Sequence, residues 1–269
     1  MPNLLDGLSH SWLQNAFCGA AIVAVLAAVV GYFVVMRGAS FATHALSQIG
    51  FAGAAGAVLL GIEPLIGLIA FSLAGALGLG ALATRTRSSD VPTALVLVCA
   101  LGTGALCLAL ANSFGSDAMS FLFGTIVGVD RAQVAITFVA ALCALAILAG
   151  IARPLLFATV APDAARAAGV RVGALDLAFL AIIGLAAAIT VPIVGALLVF
   201  ALTIGPAAAA ARISARPSIA VALAVLFGLV AVALGVALAY ETDWPVGFFI
   251  AAIAMLEYLG AGAYARARQ

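Results

Sequence analysis

Apolar residues fill nine long stretches of the chain, and polar residues are largely confined to short segments between them. A helix needs about 20 predominantly apolar residues to cross a hydrocarbon core about 30 Å thick, because each residue advances it by about 1.5 Å. The pattern therefore predicts an all-α, polytopic membrane helix bundle of about nine transmembrane helices. The predicted spans cover residues 16–36, 41–62, 65–83, 92–112, 132–152, 176–191, 194–211, 218–239 and 246–264.

The sixth and seventh stretches are short and meet at Val191-Pro192. Proline lacks an amide hydrogen and has a fixed φ, so the pair predicts a break in the helix at this point. Either two separate crossings or one re-entrant element would fit this part of the sequence.

The composition agrees with a bundle in lipid. Hydrophobic residues make up 67% of the chain and charged residues 8%, against roughly 45–50% and 25% in soluble domains. We therefore expect a single transmembrane domain over residues 1–269. A net charge of +1 gives no reason to expect nucleic acid as a partner. The cysteines all lie in apolar runs and predict neither a disulfide framework nor a metal cluster; they are Cys18, Cys99, Cys107 and Cys143.

The residues before the first span carry Asp6 and neither lysine nor arginine. They lack the positive segment that opens a signal peptide, so we expect the first apolar stretch to remain in the mature protein.

Lysine is absent, so arginine supplies all the formal positive charge of the side chains, and its positions orient the bundle. Short loops rich in Lys and Arg stay in the cytoplasm. With the amino terminus outside, the loops at Arg37, 85–87, 153–171 and 212–216 and the carboxyl-terminal tail face the cytoplasm, and only Arg131 is left outside. Acidic residues and two tryptophans, which are typical interfacial anchors, collect on the outer face: Asp6, Glu63, Asp117, Asp130, Glu241, Asp243, Trp12 and Trp244. These acids could guide a cation or simply form a solvated rim.

A polar stripe opens the second span. Ser40, His44, Ser47 and Gln48 share one helical face by the i, i+3, i+4 rule, and polar side chains in a membrane must face protein or water. A neutral imidazole is a common ligand of zinc, manganese and iron. A hydrogen-bonded interior histidine would give the same pattern, so both interpretations stay open on the residues alone.

The segment from Arg37 to Gly53, Arg-Gly-Ala-Ser-Phe-Ala-Thr-His-Ala-Leu-Ser-Gln-Ile-Gly-Phe-Ala-Gly, resembles the second-span signature of the zinc and manganese ABC permease family. Members of that family carry an acidic residue and a histidine four positions apart here, with Ala-Leu-Ser between them. In this chain His44 stands at the acidic position and Gln48 at the histidine position. The resemblance implies that His44 and Gln48 are metal ligands and that Thr43 and Ser47 line the translocation path.

Three later segments extend the resemblance: residues 121–126, 194–202 and 205–210. Their order and spacing are similar to those of the permease subunit of the zinc, manganese and iron type of bacterial ABC importer. The resemblance implies a homodimer in the bacterial cytoplasmic (inner) membrane that imports a divalent metal ion by ATP-driven alternating access. Its implied partners are two copies of an ATP-binding subunit, which hold the ATP, and an extracytoplasmic solute-binding protein that binds the metal. No permanently bound cofactor is expected.

The longest cytoplasmic connection covers about residues 153–175. Residues 161–169 within it predict a short helix, with proline in the first turn, an aspartate near the positive helix end and a glycine as the stop. In the family it resembles the coupling helix that docks into the ATP-binding subunit; those residues are Pro162, Asp163, Ala164, Ala165, Arg166, Ala167, Ala168 and Gly169. An amphipathic helix on the bilayer surface is the alternative.

Glu257 lies well inside the ninth span, where an ionisable group is a functional candidate that needs a partner. It could pair with an arginine from a cytoplasmic helix end, remain protonated, or line the translocation path.

The chain carries no Walker sequence, no nucleophile elbow and no His-Glu-x-x-His, so we predict a permease without enzymatic activity whose energy comes from a partner. Two alternatives stay open. One is a permease for metal chelates of the siderophore or cobalamin type. The other is an autonomous secondary transporter or channel in which Glu257 and His44 relay protons.

Overall fold

The computed structural model describes residues 11–83, 90–111, 121–122, 124, 128–242 and 244–267. These residues form ten helices, and no β-strand occurs among them. In chain order the helices are α1 (Ser11–Met36), α2 (Ser40–Leu59), α3 (Pro64–Ala83), α4 (Asp90–Leu110), α5 (Arg131–Val160), α6 (Pro162–Ala167), α7 (Val172–Val194), α8 (Ala196–Ile213), α9 (Pro217–Thr242) and α10 (Val246–Ala267).

The predicted all-α membrane bundle is confirmed. Eight of the described helices are long and apolar enough to cross a bilayer, and each coincides with a predicted span. The remaining predicted span, residues 41–62, corresponds to α2, which has 20 residues but is less apolar because of its polar stripe. Helix α6 is the short additional helix of the connection between α5 and α7.

The predicted break at Val191-Pro192 is wrong by a few residues. Helix α7 continues through Pro192 to Val194, and the chain breaks at Gly195, with φ 89° and ψ 150°. Glycine alone adopts that backbone conformation at little cost, so the turn forms at the glycine and not at the proline. Helices α7 and α8 are therefore two separate helices joined by one residue.

Helices α1 and α7 form the centre of the bundle. In the most apolar window of each, 67% of the residues are buried, against 17% in α4 and in α10. Helix α1 packs against α5, α8 and α9, and α7 packs against α3, α2 and α5. Helix α2 lies between α3 and α4 and also contacts α7 and α8. Its polar face is therefore enclosed by protein.

Small residues allow the closest helix crossings. Gly53 of α2 and Gly67 of α3 meet so closely that a Cβ on either would overlap the carbonyl oxygen of the other. Close packing of this kind is the usual role of small residues in membrane helices. Not every glycine of α2 and α3 is packed in this way. A Cβ added at Gly56 or at Gly78 would have no atom of the described residues within 4 Å.

Aromatic side chains join helix ends that lie far apart in the chain. The rings of Trp12 and Tyr240 lie 6.0 Å apart and join the start of α1 to the end of α9. The guanidinium of Arg212, near the end of α8, lies 3.8 Å from the ring centroid of Tyr258 in α10. The inside and outside assignment of the two ends remains a prediction.

Candidate functional site

The position of the polar stripe is set by a tight turn between α1 and α2. Gly38 has φ 65°, its N–H donates to Val35 O at 3.2 Å, and the N–H of Ala39 donates to Val34 O at 2.9 Å. This pair of bonds is a Schellman motif, which ends a helix at a left-handed glycine. Helix α2 begins at the next residue, so the stripe starts immediately after a rigid turn.

The stripe faces the interior of the bundle. Thr43, Ser47 and Gln48 are buried, with Gln48 only 1% exposed, and His44 is half-buried. The hydroxyls of Thr43 and Ser47 donate to carbonyl oxygens four residues earlier, at 3.0 and 3.1 Å. They are satisfied within their own helix.

Each of the two predicted ligand residues has one buried polar atom without a hydrogen-bond partner in the described ranges. His44 Nδ1 and Gln48 Oε1 are buried and make no hydrogen bond within the described part of the chain. Most buried polar atoms in proteins have a partner, and an exception points to a strained site, a water or an ion. The structure thus places both predicted ligands on one buried face, each with an unsatisfied polar atom.

Helices α7 and α8 bring further groups to this face. The ring of Phe200 meets the ring of His44 edge-on, with centroids 5.3 Å apart. Thr43, Thr190 and Thr203 line a cavity of about 10 Å³ between α1, α2, α7 and α8, close to the smallest volume that holds one water. Polar groups from three helices therefore converge near the middle of α8.

Thr190 and Thr203 were not anticipated from the sequence. Their hydroxyls donate to the carbonyls of Ala186 and Val199, each at 2.6 Å, which is how a threonine inside any membrane helix is satisfied. Their sequence context therefore does not distinguish them. Ser72 was also missed: its buried Oγ has no partner among the described residues, and a Cβ at Gly50 of α2 would lie 2.5 Å from it.

The site does not have the ligand number of a permanent metal centre. In the described ranges no group of three or more His, Cys, Asp or Glu side chains is placed to hold a metal ion, whereas structural zinc sites use four ligands. One chain offers the His44 imidazole and the Gln48 carboxamide oxygen at this face. Such a donor pair suits an ion that passes better than one that stays.

Glu257 lies elsewhere in the bundle. It shares a face of α10 with the buried residues Ile250, Ala254 and Ala261, and α10 packs against α8 and α9. Both carboxylate oxygens are buried and have no hydrogen-bond partner in the described residues. The pairing with an arginine does not form there, since Arg212 contacts Tyr258 instead. The structure groups Glu257 with α8 and α9, apart from the polar face of α2.

Helix α6 forms where the sequence predicts a short helix, two residues shorter at its end. Pro162 occupies its first turn, the exposed side chains of Asp163 and Arg166 pair at 2.8 Å, and Gly169 (φ 82°) closes a second Schellman motif. Ala161 alone separates α6 from α5. The helix is a compact projection held at both ends; its docking role remains a prediction.

A larger cavity, of about 430 Å³, opens between α3, α5 and α7, and Glu63, Asp130, Gln133 and Pro192 are among its lining residues. The Asp130 carboxylate caps α5 by accepting the N–H of Gln133 at 2.6 Å. Two of the predicted outer acids therefore share one opening. Glu241 is the penultimate residue of α9 and is exposed, and Asp6, Asp117 and Asp243 lie outside the described residues.

Two of the segments that carry the family resemblance meet in space. Gly124, with φ 77°, packs against the joint between α7 and α8, where its Cβ would overlap the backbone of Ile193, Val194 and Gly195. Residues 123, 125 and 126 of the same segment lie outside the description.

Known proteins resemble this chain over almost its full length. A model of the ABC 3 transport family matches residues 9–265. The chain is 27% identical over 248 residues to the manganese transport system membrane protein MntC of Halalkalibacterium halodurans, covering 92% of this chain and 85% of that protein. It is 25% identical over 236 residues to the high-affinity zinc uptake system membrane protein ZnuB of Haemophilus influenzae, covering 87% and 90%. The structure of PsaBC from Streptococcus pneumoniae in complex with Fab superposes with a TM-score of 0.87 at 27% identity, covering 96% of this chain and 93% of the matched chain.

Proposed function

The chain belongs to the ABC 3 transport family, and from that premise we propose that it is the permease subunit of a bacterial importer of divalent transition-metal ions. It is a multi-pass protein of the inner membrane, with eight apolar helices long enough to cross it. The observation that carries the proposal is the buried polar face of α2, on which His44 and Gln48 each hold an unsatisfied polar atom. The metal ion is the substrate and passes this face during transport.

The donor atoms on this face suit the three candidate metals, zinc, manganese and iron, in different ways. Imidazole is a good ligand for zinc and iron, whereas manganese favours oxygen ligands, which on this face come from Gln48 and the threonine and serine hydroxyls. Manganese and zinc stand in the names of the relatives MntC and ZnuB; iron rests on the imidazole chemistry alone. A two-donor set binds weakly enough to let an ion leave, as conduction requires. A second copy of the chain would bring a second pair of donors.

Transport needs an energy source outside this chain. The sequence has no Walker motif, so we assign ATP hydrolysis to two copies of a partner ATP-binding subunit. Helix α6 projects from the bundle with exposed charges and suits docking into that subunit. An extracytoplasmic solute-binding protein would deliver the metal at the opposite end, where Glu63 and Asp130 line one opening. Alternating access would then expose the polar face to each side in turn.

The test is uptake of zinc, manganese and iron(II) by the complex of this chain with its ATP-binding subunit in lipid vesicles, with the metal-loaded binding protein on the outer side. We expect metal uptake to require ATP. We also expect free divalent metal ions to compete with the metal that is taken up. A siderophore or cobalamin complex should not compete; competition would favour a chelate permease. Equal uptake by the chain alone, without the ATP-binding subunit, would contradict the proposal.

A further inference from the structure

Arg37 occupies the junction of α1 and α2, and its guanidinium binds two other parts of the chain. One nitrogen, Nη2, pairs with the carboxylate of Asp176. The other, Nη1, donates to Thr159 Oγ1 at 2.8 Å and to the carbonyl oxygen of Leu155 at 3.3 Å. The Arg37 side chain is only 15% exposed, and the ring of Phe179 lies 5.8 Å from the guanidinium carbon. The arginine is therefore a partly buried link between three segments.

The partners of Arg37 lie on the two helices that flank α6, namely the end of α5 and the start of α7. Thr159 is the penultimate residue of α5 and precedes Pro162 by three positions, and Asp176 begins the second turn of α7, just after α6. The Thr159 hydroxyl itself donates to Leu155 O at 2.7 Å, which leaves its lone pairs free to accept from Arg37. If α6 moves together with the end of α5 and the start of α7, it therefore displaces the guanidinium of Arg37 through both Thr159 and Asp176.

On its other side, Arg37 connects to the polar face without an intervening loop. The Schellman turn at Gly38 and Ala39 is closed by backbone bonds, and α2 runs from Ser40 through His44 and Gln48 as one uninterrupted helix. A force on Arg37 is therefore transmitted along hydrogen-bonded backbone to the donors of His44 and Gln48.

We propose that Arg37 is a positioning residue that couples α6 to the polar face of α2, so that movement of α6 by a bound ATP-binding subunit moves His44 and Gln48. The inference rests on the proposed function, because it requires that the partner acts on α6. Coupling between sites travels through contiguous contacts of this kind when the element they move has two arrangements. Arginine is suited to this role because its two terminal nitrogens bond acceptors on two helices in one fixed plane, whereas lysine has all three of its donors on a single nitrogen.

The experiment compares Arg37→Lys, Asp176→Asn and Thr159→Val in the reconstituted complex with the ATP-binding subunit. Three quantities are measured: copurification of the two subunits, ATP hydrolysis, and metal ions imported per ATP hydrolysed. Arg153→Gln is the charge control, since Arg153 is exposed on the same helix as Thr159. Thr103→Val matches Thr159→Val, since the Thr103 hydroxyl also bonds the carbonyl four residues earlier, at 2.8 Å, but on the exposed face of α4.

We expect the three variants to assemble and to hydrolyse ATP. The number of metal ions imported per ATP should fall by about fivefold or more, since about fivefold is the smallest usual effect of a coupling between sites. Both controls should keep the wild-type ratio. An unchanged ratio in Asp176→Asn and Arg37→Lys would overturn the proposal. Loss of assembly in both would also overturn it, since Arg37 would then serve only to hold the fold. Failure of the proposed function looks different, because the wild-type chain itself would then neither bind the ATP-binding subunit nor import metal.

Discussion

The backbone carbonyl of Thr203 in α8 lies directly against Gly31 of α1, so closely that a Cβ at position 31 would overlap the oxygen. This contact fixes the depth of α8 beside α1. It thereby sets the level at which Thr203 joins Thr43 and Thr190 around their small shared cavity. A glycine of the central helix thus determines where the polar groups of three helices meet.

Gly31→Ala should therefore displace α8 and weaken the bundle. Overpacking of a tight interior costs about 1–3 kcal/mol, so we expect a lower unfolding temperature in detergent and reduced metal uptake. Thermal unfolding of the purified chain measures the first effect. Gly78→Ala is the matched control, because no atom lies within 4 Å of a Cβ there. Equal stability of the two variants would show that the α1 and α8 contact is looser than described.

Gln48→Leu should separate stability from transport. The substitution removes a buried, unsatisfied carboxamide oxygen, and an unpaired buried polar group costs about 1–3 kcal/mol. We expect the variant to unfold at a higher temperature than the wild type while its metal uptake falls. A parallel measurement of thermal unfolding and vesicle uptake tests both. Wild-type uptake in a stabilised Gln48→Leu variant would remove Gln48 from the path.

His44→Ala should abolish metal-dependent rescue of growth while the folded complex persists. The imidazole is the only nitrogen donor on the polar face, and no carboxylate replaces it there. Growth of a strain that depends on this importer, in metal-depleted medium, reports the loss. Phe41→Leu is the control, since Phe41 lies exposed on the same helix. Full rescue by His44→Ala would exclude His44 from the mechanism.

Gly169→Ala should weaken the association with the ATP-binding subunit. Gly169 has φ 82°, a left-handed conformation that costs other residues about 1–2 kcal/mol. The second Schellman motif would open and α6 would lose its fixed end. Copurification of the two subunits measures the effect. Gly173→Ala, at a position with open space around the Cβ and ordinary backbone, should leave copurification at the wild-type level, and an equal loss there would contradict the argument.

Glu257→Gln should leave uptake intact and raise stability. Its two buried oxygens lack partners among the described residues, and α10 packs on α8 and α9 away from the polar face of α2. A carboxylate without a partner costs more to bury than a neutral amide does, so the amide should raise the unfolding temperature. Thermal unfolding and uptake are again the two measurements. Loss of uptake at unchanged stability would instead place Glu257 in the translocation path.

The spans could be predicted because their signal is local. Each needs only a long apolar stretch, and nine such stretches match nine long helices. The break near Pro192 was misplaced because the prediction weighed the proline and not Gly195, whose backbone conformation only glycine adopts easily. The short helix α6 was readable from its proline and its terminal glycine.

The site was readable only in part, for a physical reason. His44 and Gln48 stood out because they are polar within one apolar helix. Thr190, Thr203 and Asp176 acquire their positions from contacts between segments far apart in the chain, such as the pair of Asp176 with Arg37. A single sequence carries no sign of which threonine or which aspartate will meet which helix.

The one-residue joint at Gly195 makes this part of the chain intolerant of changes in length. Each added residue turns the rest of an α-helix by roughly 100° and advances it by about 1.5 Å. A single insertion or deletion there would rotate Thr203 away from Thr43 and lift its carbonyl off Gly31, even if every side chain were kept. The distance along the chain between Thr190 and Thr203 is therefore as much a part of the site as the residues themselves, and tags or linkers belong in other connections.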